Sequence, residues 1–149
     1  MILEAKNLSR WYQQVIAIND VSLSIEPGIT GVLGPNGAGK TTFLRILMGL
    51  MPPSSGTIRV FGENPWRSPT VTCRIGYCPE HDGLYEWMRG RDFVEMMAGI
   101  RGVRDPKRIS FALEKVQLED VADRRIFTYS RGMRQRLKLA QAIVHDPEL

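Results

Sequence analysis

Cysteine is scarce: Cys73 and Cys78 are too few and wrongly spaced for a disulfide framework or a zinc site. On one strand their odd separation would point them to opposite faces, so free thiols in a reducing cytoplasm are expected. Histidine is as rare, and no second histidine or cysteine lies at metal-ligand spacing from His81 or His145. These two read as a loop residue and a helix-end residue. Long apolar runs are missing too: the most apolar stretch, Phe43 to Met51, is broken by Arg45 and is far too short to span a bilayer. No secretory pattern opens the chain, and no repeat, low-complexity tract or long linker interrupts it. The expectation is a soluble or peripheral protein. Neither charge sign dominates, since 20 Lys and Arg against 16 Asp and Glu leave +4. A single phosphorylated ligand satisfies that balance as well as nucleic acid does.

What is present is an ordinary globular composition, 43% apolar and 24% charged over 149 residues, enough for one domain with a real core. Val21, Leu23 and Ile25 alternate with Ser22 and Ser24 as in a half-buried strand that ends at Pro27-Gly28. "ITGVL" (residues 29–33), "TIRVF" (57–61) and "RIGYC" (74–78) read as further short strands. Phe43, Leu44, Leu47 and Leu50 recur at helical spacing until "PPSSG" breaks them. Two amphipathic helices follow, one marked by Phe93, Met96, Met97 and Ile100 and one by Ile109, Leu113 and Val116. A last helix, expected to return toward the sheet, carries Met133, Leu137, Ala140 and Val144 on one stripe, with Arg131, Arg134 and Lys138 on the opposite side.

Between the strand at 29–33 and the helix that follows lies "GPNGAGKTT". Gly34, four residues, Gly39, Lys40 and Thr41 fit a phosphate-binding pattern in the strand-loop-helix setting it requires. Residues without bulky side chains, Gly34, Pro35, Asn36, Gly37, Ala38 and Gly39, let backbone N–H groups converge on phosphate oxygens. The new helix adds its positive end. Lys40 would reach the β- and γ-phosphates, Thr41 would give Mg²⁺ a hydroxyl, and Thr42 would bond farther back along the phosphates. The bland alternative is a flexible glycine turn. At "YSRGMRQR", Ser130 is suited to cap the last helix, yet Arg131 in the first turn opposes the helix dipole by roughly 0.3–1 kcal/mol unless an anion comes to that end.

With these strings in place, the sequence resembles the ATP-binding subunits of ABC transporters over essentially its whole length. "GPNGAGKTT" matches that family's Walker A motif, and "YSRGM" resembles its LSGGQ signature, keeping Ser130 and Gly132 and replacing the other three positions. "YCPEHDGLYEWM" and "LAQAIVHDPEL" are most similar to subunits serving ABC-2-type exporters. The resemblance implies an α/β fold: a P-loop core with a mainly parallel sheet, an N-terminal antiparallel β portion and a helical subdomain. Residues 1–83 would form the β-rich core, 84–126 the helical subdomain and 127–149 the signature and its helix.

It also implies roles. Tyr12 would stack on adenine, while Trp11 would point to the other side of the strand; as a sequence reading, a core aromatic fits Tyr12 equally well. Glu80 stands where the family commonly has a Mg²⁺-touching glutamine, and could equally be a plain loop acid. Two such domains would close head to tail around ATP, with Ser130 and Gly132 contacting nucleotide held by the other subunit. A transmembrane permease would be the partner, the location the cytoplasmic face of the membrane, and no direct nucleic-acid contact is expected. Soluble ABC ATPases acting on nucleic acid or ribosomes, and a non-catalytic binding fragment, are the alternatives. In the family, the Walker B aspartate, its following glutamate and the catalytic histidine come later than "HDPEL", so these 149 residues are expected to bind without turning over.

Overall fold

The structure is a computed structural model that describes residues 1–81 and 83–149; Asp82, inside "YCPEHDGLYEWM", lies outside the described residues. The chain forms two compact units, Met1–Thr72 and Cys73–Leu149.

In the first unit, β1 (Leu3–Tyr12) and β2 (Val15–Ile25) form a hairpin, and β3 (Ser55–Val60) pairs with the other side of β1. All pairs are antiparallel, in the order β2-β1-β3. Leu3, Ala5 and Leu8 alternate into the core until Asn7 intervenes as an extra residue with φ 50°. Asp20, with φ 51°, is an extra residue on β2, and Ala17 is another, because Arg10 faces Ile18 while Trp11 faces Ile16. Polar side chains replace hydrogen bonds that these bulges remove from the ladder. The Asn7 amide group donates to Asp20 Oδ1 at 2.8 Å, and the Asn7 and Asp20 backbone N–H groups donate to Ser22 Oγ and Ser9 Oγ at 2.8 and 2.9 Å.

Helix α1 (Lys40–Leu47) buries Phe43, Ile46 and Leu47, an i, i+3, i+4 face; Leu44 and Leu50, read onto the apolar stripe in the sequence, are exposed. Gly49, at φ 69°, ends it: the Gly49 and Leu50 N–H groups turn back to the Ile46 and Arg45 carbonyls. A side chain at Gly49 would sit 2.5 Å from the Pro65 carbonyl oxygen, so this end is fixed. The short α2 (Pro69–Thr72) closes the unit.

The second unit is helical. Phe93 and Ala98 of α3 (Gly90–Ile100), Ile109 and Leu113 of α4 (Pro106–Lys115) and Leu137 and Ala140 of α5 (Arg131–Ile143) share one core with Ile126 and Tyr129. Asp105 caps α4 by accepting from the Lys107 N–H at 3.0 Å, with Pro106 in the first turn. The far end of α5 reaches Arg74–Gly76, where a Cβ at Gly76 would lie 2.4 Å from the Ala142 carbonyl oxygen.

Three expectations are corrected. Ile29–Leu33 is not a strand: Ile29 and Leu33 are fully exposed, and among the described residues no neighbouring strand pairs with this run. An extended run becomes a strand only where a neighbour answers its N–H and C=O groups. It borders instead a cavity of about 600 Å³ lined by Val21, Leu23, Ile25, Val32 and Phe43. Residues 74–78 form no strand either, and parallel pairing among the described residues is confined to one exchange at Arg74–Gly76. There the Leu149 N–H donates to the Arg74 carbonyl at 3.3 Å and the Gly76 N–H to the Leu149 carbonyl at 2.7 Å, the slanted pattern of a parallel pair.

The third correction is Lys138, which is 1% exposed rather than on the polar side. At about 100° per residue, Lys138 lies closer to buried Ala142 and half-buried Arg134 than to the outer face, so the buried arc is wider than a four-residue stripe. Its ammonium donates to the Glu80 carbonyl at 3.1 Å.

Core position and exposure separate two phenylalanines. Phe93→Ala is expected to cost about 3–5 kcal/mol in urea denaturation, because Phe93 is 2% exposed inside the helical core. Phe111→Ala, at a position 45% exposed, is expected to cost less than about 1 kcal/mol.

His145 ties α5 to the same Arg74–Gly76 segment: Nε2 lies 3.2 Å from the Ile75 carbonyl oxygen, and Nδ1 is buried without a partner. Burial, and next the Arg101 guanidinium, hold this imidazole below its ordinary range. The unfolded chain therefore takes up the proton more readily. The fold keeps its full advantage above about pH 6.5 and loses it as the pH falls toward the depressed folded value. Denaturation midpoints are expected to drop on acidification from about pH 8 to about pH 5, with a shallower drop in His145→Gln.

Candidate functional site

Gly39 holds the centre of the first unit's polar loop. Its φ of 86° suits glycine, and a Cβ there would lie 2.2 Å from the Ala17 carbonyl oxygen on the β2 bulge. The start of α1 is thereby pressed against β2, two residues from Val15, the partner of Tyr12 across the hairpin turn. Gly39 occupies the capping position with no side-chain hydrogen bond, and no acid lies in the first turn of α1. The first internal bond is Phe43 N–H to the Gly39 carbonyl at 2.8 Å, so the earlier N–H groups of α1 are left for an outside acceptor.

The loop from Gly34 to Ala38 is exposed, braced by the Ala38 N–H on the Pro35 carbonyl at 3.2 Å. Lys40 folds back over it, its ammonium donating to the Gly34 and Pro35 carbonyls at 2.7 Å each. Uncapped N–H groups, a positive helix end and a cation thus converge where a phosphate fits. Thr41 is exposed and Thr42 half-buried beside them. Among the described residues no three His, Cys, Asp or Glu side chains gather as a metal site. A hard cation that takes most of its oxygens from phosphates and water needs only a hydroxyl such as that of Thr41, so the donor set suits Mg²⁺.

Tyr12 ends β1 and is 39% exposed, so it is not a core aromatic; Trp11, at 43%, is exposed as well. The Tyr12 hydroxyl donates to Met51 Sδ at 3.2 Å, and the Arg10 guanidinium carbon lies 5.1 Å from its ring centroid. Tyr12 and the Gly34–Thr42 loop belong to the first unit, while Glu80, Ser130 and Gly132 belong to the second. Glu80 is exposed, its carboxylate outward of the backbone carbonyl that receives Lys138. Ser130 Oγ accepts from the Met133 N–H at 3.3 Å, the cap its sequence position suggests. Arg131 and Gly132 are exposed in the first turn, and Arg134 is engaged by Glu86 at 2.6 Å.

Sequence reasoning missed three participants. Arg10 was findable, since strand alternation puts residues 10 and 12 on one face. Ala17 and Met51 were not, because a bulge and a loop return leave no local pattern.

The two left-handed glycines make a graded test. Gly39→Ala combines roughly 1–2 kcal/mol of backbone strain with a collision at Ala17, and is expected to weaken nucleotide triphosphate binding about tenfold or more in calorimetric titration. Gly37→Ala, with φ 85° but nothing within 4 Å, is expected to lose clearly less.

Several known proteins are similar to this chain. The Nod factor export ATP-binding protein I of Cupriavidus metallidurans is 37% identical, over 99% of this chain and 50% of its own. The bacitracin transport ATP-binding protein BcrA of Enterococcus faecalis is also 37% identical, over 99% and 49%. The chain thus spans about half the length of the curated relatives it matches. A solved ATP-binding subunit of an ABC transporter superposes with a TM-score of 0.84 at 28% identity, covering 99% of this chain and 63% of that one. The dimeric cassette MJ0796 shares the fold with a TM-score of 0.86 at 23% identity, over 98% and 71%. Since the profile of the family described as "ABC transporter" matches residues 18–149, on the same glycine loop and helical unit, this chain belongs to the ABC transporter family.

Proposed function

We propose that this chain is the nucleotide-binding part of a subunit that couples MgATP binding and hydrolysis to export through a separate membrane subunit. The observation that carries the reading is the glycine loop: an uncapped α1, a glycine pressed on Ala17, and Lys40 folded over the Gly34 and Pro35 carbonyls. Loop N–H groups and Lys40 bind the phosphates, with Lys40 exchanging its two carbonyl partners for β- and γ-oxygens. Thr41 would give Mg²⁺ a hydroxyl, and Thr42 would bond farther along the phosphates. When bound, Mg²⁺ offsets charge that develops on the transferring phosphoryl group. Tyr12 offers its exposed ring to adenine.

Ser130 and Gly132 act on nucleotide held by a second copy arranged head to tail. Their supports are the exposed first turn of α5 and Arg131, a cation that an arriving phosphate would offset. Export is favoured by relatives named for Nod factor export, and a dimer by the dimeric cassette of shared fold. Among the described residues no helix is long and apolar enough to cross a membrane. On this reading a separate transmembrane permease completes the transporter, with this subunit peripheral on the cytoplasmic face and no direct nucleic-acid contact; the support is the relatives named as export and transport ATP-binding proteins.

Two substitutions in the full-length protein separate the parts of this reading. Lys40→Ala is expected to weaken MgATP about tenfold to a hundredfold in equilibrium titration, and unchanged affinity would remove Lys40 from the phosphate site. Ser130→Arg is expected to leave monomer binding intact while abolishing ATP-driven dimerisation in analytical ultracentrifugation. Lost monomer binding would instead reduce Ser130 to the helix cap it already provides.

A further inference from the structure

Arg10 enters the site only as a neighbour of Tyr12, and its contacts converge on that ring. The two side chains leave β1 on the same face, and the guanidinium lies over the ring at 5.1 Å from its centroid, within cation–π range. Arg10 Nη1 donates to the Pro52 carbonyl at 3.1 Å, while Nε is sealed from solvent with no hydrogen-bond partner. A guanidinium placed for hydrogen bonding alone would not leave that donor unanswered. Tyr12 is also gripped from the next residue back, through its hydroxyl on Met51 Sδ at 3.2 Å. One short segment, Met51–Pro52, therefore fixes the ring twice: directly at the hydroxyl, and through Arg10 over the ring. Despite these holds, 39% of Tyr12 stays in solvent. An aromatic ring that is immobilised yet exposed has already lost the freedom that a stacking ligand would otherwise have to remove.

We infer that Arg10 is a positioning residue for the nucleobase: it holds the Tyr12 ring in place from one face, leaving the other for a purine to stack on, and so contributes to the site's preference for a nucleotide over bare triphosphate. This rests on the reading of Tyr12 as the base platform. The contacts of Arg10 run to Tyr12 and Pro52, so its effect is expected to follow the base.

The test measures affinity for MgATP and for magnesium inorganic triphosphate in the full-length protein, with Arg10→Gln, Arg10→Lys, Tyr12→Ala and the Arg10→Gln/Tyr12→Ala pair. Arg10→Gln keeps a donor for Pro52 and loses the cation. It is expected to weaken ATP about threefold to tenfold and to leave triphosphate within about twofold. Arg10→Lys restores most of the loss, and in the Tyr12→Ala background Arg10→Gln has no further effect on ATP. If thermal melting without ligand shows Arg10→Gln unfolded, Arg10→Met, which keeps the apolar stem, takes its place with the same expectations.

Equal losses for both ligands, no loss for either, or an undiminished loss in the Tyr12→Ala background would each overturn the inference while Tyr12 stands. If Tyr12→Ala itself leaves the preference for ATP over triphosphate unchanged, the base-platform reading fails, and the role of Arg10 with it.

Discussion

The close approach of the Ala17 carbonyl to Gly39 is the contact on which the first unit's chemistry depends. It exists because β2 carries one residue more than β1 can pair between Ile16 and Ile18, and the surplus residue turns its backbone toward the start of α1. The hairpin that carries Tyr12 and the loop that leads to Lys40 thereby meet at the Ala17–Gly39 approach. On the proposed reading of Tyr12 and the glycine loop, the distance between base platform and phosphate cradle is set by backbone rather than by any titratable side chain. Preorganisation of this kind lets modest groups act strongly, since little has to be ordered when the ligand arrives.

The second unit is built on a different principle. Its helices close a core through Phe93, Leu113, Ile126 and Leu137, and the functional candidates Ser130 and Gly132 sit on the rim where α5 begins. Lys138 shows how tightly that core is specified. A lysine is 1% exposed there, and its ammonium finds the Glu80 carbonyl. That bond also attaches the Glu80 backbone to α5, while the Glu80 side chain is exposed.

Much of this was legible in the sequence, and the reasons differ by element. Helices α4 and α5 carried their burial in three- and four-residue spacing, whereas Leu44, Leu50 and Ile100, read onto the stripes of the earlier helices, are exposed; the Ser130 cap followed from its place before an apolar stripe. The glycine loop was readable because the phosphate chemistry dictates residue types as well as spacing. Strands were harder. Ile29–Leu33 has the composition of a buried strand, but pairing is a property of two segments, and composition reports on one. The bulges at Asn7, Ala17 and Asp20 were invisible for the same reason, and with them the contact that fixes Gly39. Lys138 escaped because its burial depends on a carbonyl 58 positions away in the chain.

The turn at Gly49 carries a consequence of its own. With only eight residues, α1 is a strut about 12 Å long, and an α-helix barely compresses along its axis. Its far end is lodged against the Pro65 carbonyl with no space for a methyl group. The length of the helix therefore works as a gauge: seating one end sets the height of the other, where Lys40 and the uncapped N–H groups face the solvent. A lesion at Gly49, well away from any ligand, would be felt as a phosphate cradle standing out of line.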